Sequence, residues 1–436
     1  MNFPVWEVPY LGGGLLIGII AVFHVFISHF AVGGGLFLVL TERKAYRENN
    51  AVMLEYVKKH STFFLLLTLV LGALSGVAIW FTIGLVHPSA TSSLIHTFVW
   101  GWAIEWVFFI VEISSIIIYV AMWEKMSRKA HLTIGWIYAA SGFLTLAVIN
   151  GIVSFMLTTG SWPETRNFWD GLFNPTYLPS LVARILISVA FAGVYAFLTA
   201  TRLKDEHARI SIARYSATWV LPALMLFPFS LWWYYAQIPV QAQDIVGGGI
   251  EYIQTTATYG MIAAGLLFLL VLIGPFWRPR AFNFAQAVVI LLVASAAMFS
   301  WERVREAVRK PYIIYDYMYS NSMLVNEGES IQQAGLLQKA KWMSERELTD
   351  QNELKIGKEL FRAQCASCHT VGGYQDIVPH LADRTQEDLE IILSDLSSFR
   401  GYMPPFGGNE HERTALAKWL MTLQPAPSES NGGTQP

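Results

Sequence analysis

The sequence predicts an all-α protein: a polytopic bundle of about eight transmembrane helices, both termini on the outer side, followed by a small all-α domain. Three observations carry this. The chain of 436 residues is 54% hydrophobic and only 14% charged, where soluble chains carry about 25% charge. Its apolar residues fall in long unalternating runs, the pattern of spanning helices and not of barrel strands. Basic residues alternate from one connecting loop to the next. A net charge of -2 and the lack of an Arg/Lys run exclude a basic nucleic-acid binder. The two cysteines, Cys365 and Cys368, lie too close together for a disulfide scaffold.

Taken in order, the runs are 11–40, 62–86, 96–123, 131–157, 180–202, 216–237, 254–275 and 283–301, each near the roughly 20 residues a span needs. The first lacks a basic n-region and a cleavage site, so it is expected to be retained as an anchor. Arg43, Lys44 and Arg47 follow the first run, Lys125, Arg128 and Lys129 the third, Arg202, Lys204, Arg209 and Arg214 the fifth, and Arg278 and Arg280 the seventh. The opposite loops hold only Arg166. The positive-inside rule then places both termini outside. After a membrane domain over 1–320, the segment 321–350 reads as a polar linker, 351–424 as the small domain, and 425–436 as a Pro/Ser/Gly tail expected to be disordered.

The small domain carries the most specific motif, Cys365-Ala366-Ser367-Cys368-His369. Two thiols at i and i+3 can form thioethers to haem vinyl groups, and the next residue supplies an imidazole to iron. A redox dithiol or half a zinc site are the alternatives; zinc would have to recruit His380 or His411. Met403, in Gly401-Tyr402-Met403-Pro404-Pro405-Phe406, offers a thioether on a Pro-supported loop as the second axial ligand. The region from Asn352 to Leu423 resembles a class I monohaem cytochrome c domain. One covalent haem c is expected, on the outer face.

Within the spans, ionisable residues are costly and mark function by default. The first run holds His24 and His29, the third Glu105 and Glu112, the fifth Arg184. Glu105 and Glu112 are seven residues apart and share a helical face. His24 and His29 are five apart, about 140° around the helix, and should not face one haem together. Hydrogen bonding between helices is the plainer role for these histidines.

The membrane part also resembles subunit I of the cytochrome bd quinol oxidases, over about Val8 to Met323. The resemblance rests on Phe23-His24-Val25-Phe26 with Glu42, on Trp102-Ala103-Ile104-Glu105-Trp106 through Glu112, and on Trp123-Glu124-Lys125-Met126-Ser127 with His131. Asn150-Gly151, Tyr259-Gly260-Met261 and Arg309-Lys310-Pro311-Tyr312 extend it. It implies haem b and/or haem d held non-covalently near the outer face. His24 would ligate the oxygen-site haem, with His29 as substitute. Glu105 would sit at that haem, Glu112 would serve the proton path or a second high-spin haem, and Met261 would ligate the low-spin haem. Two departures matter. Arg184 stands where the family has that methionine's histidine partner, so the resemblance implies either that the low-spin haem is absent or that another histidine such as His29 or His96 ligates it, with Arg184 holding a haem propionate instead. The quinol loop is reduced to Pro239–Glu251, and a further glutamate ligand falls at Asp316.

The expected function is a respiratory redox enzyme of the inner (cytoplasmic) membrane, passing electrons between haem c and membrane haems and reducing oxygen, with Glu105 and Glu112 as the catalytic candidates. Quinol-to-cytochrome c transfer and a relay subunit of a larger complex are the alternatives. Expected partners are at least one further membrane subunit and a soluble or bound periplasmic electron carrier, with quinol possible. The aromatic surface at Trp232, Trp233, Tyr234 and Tyr235 suits such a subunit.

Overall fold

The computed structural model describes residues 4–424 apart from residue 344; the tail 425–436 lies outside the described residues. Among these, eight helices are long and apolar enough to cross a membrane: α1 Gly13–Arg47, α2 Ala51–Val86, α3 Val99–Ala121, α4 Arg128–Phe155, α5 Tyr177–Ala200, α6 Glu206–Gln237, α7 Glu251–Trp277 and α8 Phe284–Ala307. The helices run further into the polar flanks than the apolar runs do, because backbone hydrogen bonding continues past the point where side chains turn polar. Several starts are capped: the Asn50, Ser127 and Asp205 side chains accept backbone N–H bonds at the heads of α2, α4 and α6. Asn283 and Gln286 close a capping box on α8.

The chain divides into two compact units, one of residues 19–80 and 94–309, the other of residues 1–18, 81–93 and 310–436. In the first, α3 packs on α4, α5 on α6 and α7 on α8. Its core joins Phe30, Phe37, Tyr56, Phe64, Tyr138 and Phe197, each at most 3% exposed. The run Gly33-Gly34-Gly35 lets α1 approach three neighbours at once. A Cβ on Gly33 would lie 1.8 Å from the Ser188 carbonyl oxygen, one on Gly34 2.5 Å from the Phe64 ring, and one on Gly35 2.1 Å from the Tyr138 ring. Small residues at such crossings give the van der Waals contact that holds membrane helices together.

The second unit is largely helical, with a hairpin of β1 Tyr312–Ile314 and β2 Met318–Tyr319. Asp316, in the hairpin turn at φ 54, is exposed; a short polar side chain tolerates that backbone, and the turn explains the residue. The stretch 321–350 has structure of its own. Met323, Ile331, Leu336, Leu337, Ala340 and Met343 join one core with Leu360, Phe361, Leu416 and Leu420. The join is fastened by Glu412, 2% exposed, whose carboxylate accepts from Leu336 N at 2.8 Å, Leu337 N at 2.9 Å and Asn409 N at 3.0 Å. Removing that acceptor leaves three N–H groups facing an apolar core. Glu412→Ala is therefore expected to destabilise this unit by ~3 kcal/mol or more, read as a fall in the denaturation midpoint of its far-ultraviolet signal.

Candidate functional site

The Cys-x-x-Cys-His turn begins where the helix Glu353–Gln364 stops. The turn is closed by Cys368 N to Cys365 O at 3.0 Å and His369 N to Cys365 O at 2.8 Å. Both thiols and the imidazole thus come from one tight turn. Burial pushes the Cys365 thiol up to about 12, with the neighbouring Cys368 adding to it; burial also holds the His369 imidazole below its ordinary value. His369 Nδ1 lies 3.3 Å from the Gln375 carbonyl oxygen. A carbonyl only accepts, so Nδ1 carries the hydrogen and Nε2 presents its lone pair, the arrangement an iron ligand needs. His380 stands beside it, ring centroids 6.5 Å apart. Met403 is half-buried, on a loop anchored by Asn321 Nδ2 donating to the Pro405 carbonyl at 2.9 Å.

The N-terminal segment is laid against this turn. Tyr374 N donates to Tyr10 O at 2.7 Å, and Arg362 pairs with Glu7 at 3.0 Å. A Cβ on Gly12 would lie 3.1 Å from Thr370 Cγ2, and one on Gly14 3.4 Å from the Ser367 carbonyl oxygen, between the two cysteines.

In the membrane unit, His24 Nδ1 lies 3.1 Å from Ser75 Oγ. That hydroxyl already donates to the Leu71 carbonyl at 2.6 Å, so it accepts from Nδ1–H and leaves Nε2 as the lone-pair nitrogen. A Cβ on Gly76 would lie 3.3 Å from His24 Cε1, so the ring has its neighbour's missing side chain for space. His29 faces elsewhere: Nδ1 donates to Val25 O at 2.7 Å, and its buried Nε2 has no partner among the described residues. His60, which motif and span reasoning passed over, has the same form. Its Nδ1 lies 2.8 Å from Thr199 Oγ1, and its Nε2 is buried without a partner. Its position near the inner flank of an apolar run hid it; its burial comes from packing by Phe30, Phe37 and Tyr56.

Glu112 accepts a hydrogen bond from Tyr138 Oη at 3.2 Å, and that hydroxyl also meets Ala31 O at 3.1 Å. The Glu112 carboxyl packs over Gly142, 3.6 Å from the position of a Cβ. Glu105 lies on the same α3 face, half-buried.

Arg184 does not stand alone. It lines a small cavity whose polar groups include those of Asn150, Ser180, Tyr234, Arg305 and Arg309, with Val153 and Leu157 also in the wall. Arg305 grips Glu302 Oε2 through Nε at 2.9 Å and Nη2 at 2.8 Å, and Arg309 pairs with Glu306 at 2.6 Å. Arg309 is 6% exposed, and its Nε lacks a partner among the described residues. Glu302 and Arg305 were missed because the apolar run ends at 301; their i, i+3 spacing, continued at i+7 by the Arg309 that opens the Arg-Lys-Pro-Tyr element, was the available signal. Tyr234 turns into this cavity, so it leaves the outer aromatic surface, whereas Trp232 is 72% exposed. Met261 is 56% exposed, on the outer face of α7. The reduced loop Pro239–Glu251 is filled by a short helix, Val240–Asp244, and a π turn, Ile245–Gly249.

Residues 15–233 match the family described as cytochrome bd terminal oxidase subunit I. The chain belongs to the cytochrome bd terminal oxidase subunit I family. The solved structure of bd oxidase from Geobacillus thermodenitrificans has the same fold, with a TM-score of 0.61 at 12% identity, covering 74% of this chain and 94% of that one. No curated protein matches. Residues 352–420 match the family described as cytochrome C oxidase, cbb3-type, subunit III. This corrects the class I monohaem cytochrome c resemblance. The short motifs Cys-x-x-Cys-His and Met-Pro-Pro-Phe were read as marks of one family, but so few residues do not single out a family; the match over the whole region does.

As a bd-family subunit I, the chain is a membrane-bound oxidoreductase of the terminal-oxidase type, multi-pass in the inner membrane. Haem cofactors belong to such a family, and its complexes contain further membrane subunits. The donors described above fit haem. Imidazoles with Nδ1 engaged and the lone pair on Nε2 stand at His24, His29 and His369, and an excess of guanidinium groups lines the Arg184 cavity.

Proposed function

We propose that this bd-family chain passes electrons between a haem bound covalently at Cys365 and Cys368, with His369 and Met403 as axial ligands, and haem b and/or haem d held by the membrane helices, reducing oxygen. When bound, these haems supply the electron transfer and the reduction. The observation that carries the reading is the His369 turn, which offers two thiols and an imidazole whose Nδ1 is engaged by the Gln375 carbonyl. A dithiol redox site has no use for that imidazole. Zinc needs more ligands, and no group of three or more His, Cys, Asp or Glu side chains gathers for a metal ion among the described residues.

The protein's own residues divide the remaining work. His24 holds the oxygen-site haem, with Ser75 fixing its ring; His29 is the substitute. Arg184, with Arg305 and Arg309 close by, neutralises a haem carboxylate in a setting where a buried anion needs a cation. Met261 and a second ligand hold a low-spin haem only if a partner or the haem itself covers the exposed face of α7. Glu105 steadies the oxygen-site haem and Glu112 supplies protons to it. Electrons arrive from a periplasmic carrier at the c-type haem, since Pro239–Glu251 is too short to form a long quinol loop. The haem-bearing part lies on the periplasmic side.

The test is a reduced-minus-oxidised spectrum with and without CO, with haem extraction. A CO-binding non-covalent haem beside one covalent haem supports the reading. Low-spin b and c signals alone favour quinol-to-cytochrome c transfer or a relay subunit. Met403→Ala is expected to lower the covalent haem's potential and abolish its near-infrared methionine-to-iron band; an unchanged band moves the axial ligand to His380 or His411.

A further inference from the structure

The mechanism above leaves unused a fully buried cluster of ionisable groups in the membrane unit. Glu42, His131 and Tyr119 are 0%, 2% and 1% exposed. They meet at the end of α1, the start of α4 and the end of α3, next to Arg43, Lys44, Arg128 and Lys129, which is the inner side by the distribution of positive charge. Tyr119 Oη donates to Glu42 Oε2 at 2.6 Å. His131 Nε2 lies 2.9 Å from the Tyr119 carbonyl oxygen and Nδ1 2.7 Å from Glu42 Oε1.

These contacts constrain the protons. A carbonyl oxygen only accepts, so Nε2 carries a hydrogen. The contact between Nδ1 and Oε1 then holds one further proton, on nitrogen as an imidazolium–carboxylate pair or on oxygen as an imidazole beside a carboxylic acid. Loss of that proton would leave a lone pair facing a buried carboxylate, at a cost the surroundings do not offset. The pair thus holds one proton at rest and releases it only as another arrives to replace it.

The same register continues along both helices away from this end. On α3 the ionisable or hydroxyl groups Tyr119, Glu112 and Glu105 recur every seven residues, and on the antiparallel α4 His131, Tyr138 and Thr145 do the same. Tyr119 touches His131, ring centroids 4.2 Å apart, and Tyr138 hydrogen-bonds Glu112. The same register sets Thr145 level with Glu105, and Thr145 Oγ1 is buried without a partner among the described residues. Successive rungs are roughly 10 Å apart at 1.5 Å per residue, so transfer from one to the next requires side-chain motion or a water entering the seam.

We propose that Glu42 and His131 hold the proton that loads Glu112, passing it along the α3–α4 seam through Tyr138. Each proton leaving the pair is replaced from the inner aqueous side, so the pair returns to its starting state once per proton delivered. Tyr119 fixes the Glu42 carboxylate, Tyr46 is a further hydrogen-bond partner of that carboxylate, and Arg128 stacks on the Tyr46 ring at 4.8 Å, with Arg43, Lys44 and Lys129 further charges at this end. This rests on the proposed role of Glu112 in proton supply.

The test uses the purified haem-loaded complex. His131→Gln keeps a donor toward the Tyr119 carbonyl but cannot store the proton. It is expected to slow turnover at least tenfold, with native haem spectra and an increased solvent deuterium isotope effect. Glu42→Gln is expected to do the same, and it decides the matter if His131→Gln does not assemble. Native turnover and an unchanged isotope effect in a spectrally native variant overturn the proposal. Glu112→Gln separates the two readings. If it is slow while both inner variants are native, protons reach Glu112 by another route and only this proposal fails. If Glu112→Gln is itself native, the underlying proton-supply reading fails.

Discussion

His24→Ala is expected to remove one non-covalent haem completely while the covalent haem stays. The imidazole is the only His24 atom group that can reach iron, and Ser75 cannot replace it, since its hydroxyl is committed to the Leu71 carbonyl. A cofactor held without thioethers has no covalent bond to keep it once its ligand is gone, so turnover should fall with the haem. Haem extraction and pyridine spectra of the purified variant measure this. Retention of every extractable haem would refute the assignment and move the ligand to His29, whose buried Nε2 is without a partner among the described residues. His29→Ala is the parallel experiment. It should leave the oxygen-site haem in place if His24 is the ligand.

Glu105→Gln and Glu112→Gln are expected to part company. Glu105→Gln should disturb the spectrum of the oxygen-site haem, because the carboxylate is assigned beside it. Glu112→Gln should keep a near-native haem content yet slow turnover by about a hundredfold, the scale on which positioned proton donors contribute. Gln preserves the hydrogen bond from Tyr138 and the packing over Gly142, so a purely structural Glu112 would tolerate the change. Haem content and oxygen consumption with the physiological donor, measured side by side, decide between the roles. Native spectra and native turnover in both variants would make the two residues structural.

Membrane class and span number were legible in the sequence because they depend on a local quantity, the length and polarity of the apolar runs. The Cys-x-x-Cys-His motif was legible for the same reason, since its three functional groups come from five consecutive residues. Its family was not, because so short a motif carries too little information. The membrane haem candidates were legible as costly residues in the wrong solvent and through the family motifs that contain them. The helical wheel put Glu105 and Glu112 on one face and His24 and His29 on different ones, but it named no partners.

Partners were decided by tertiary structure, because they come from other helices at large sequence separation. Ser75 reaches His24 from α2, Tyr138 reaches Glu112 from α4, and Arg305 and Glu302 bring an ion pair from α8 to the cavity that Arg184 lines from α5. Which nitrogen of each histidine is free depends on those partners and not on the histidine. The same holds for 321–350: its polar composition suggests a linker, yet it packs, because the buried Glu412 carboxylate supplies acceptors that its own backbone lacks. A sequence specifies each donor and acceptor, but only the folded chain determines which donor meets which acceptor away from water.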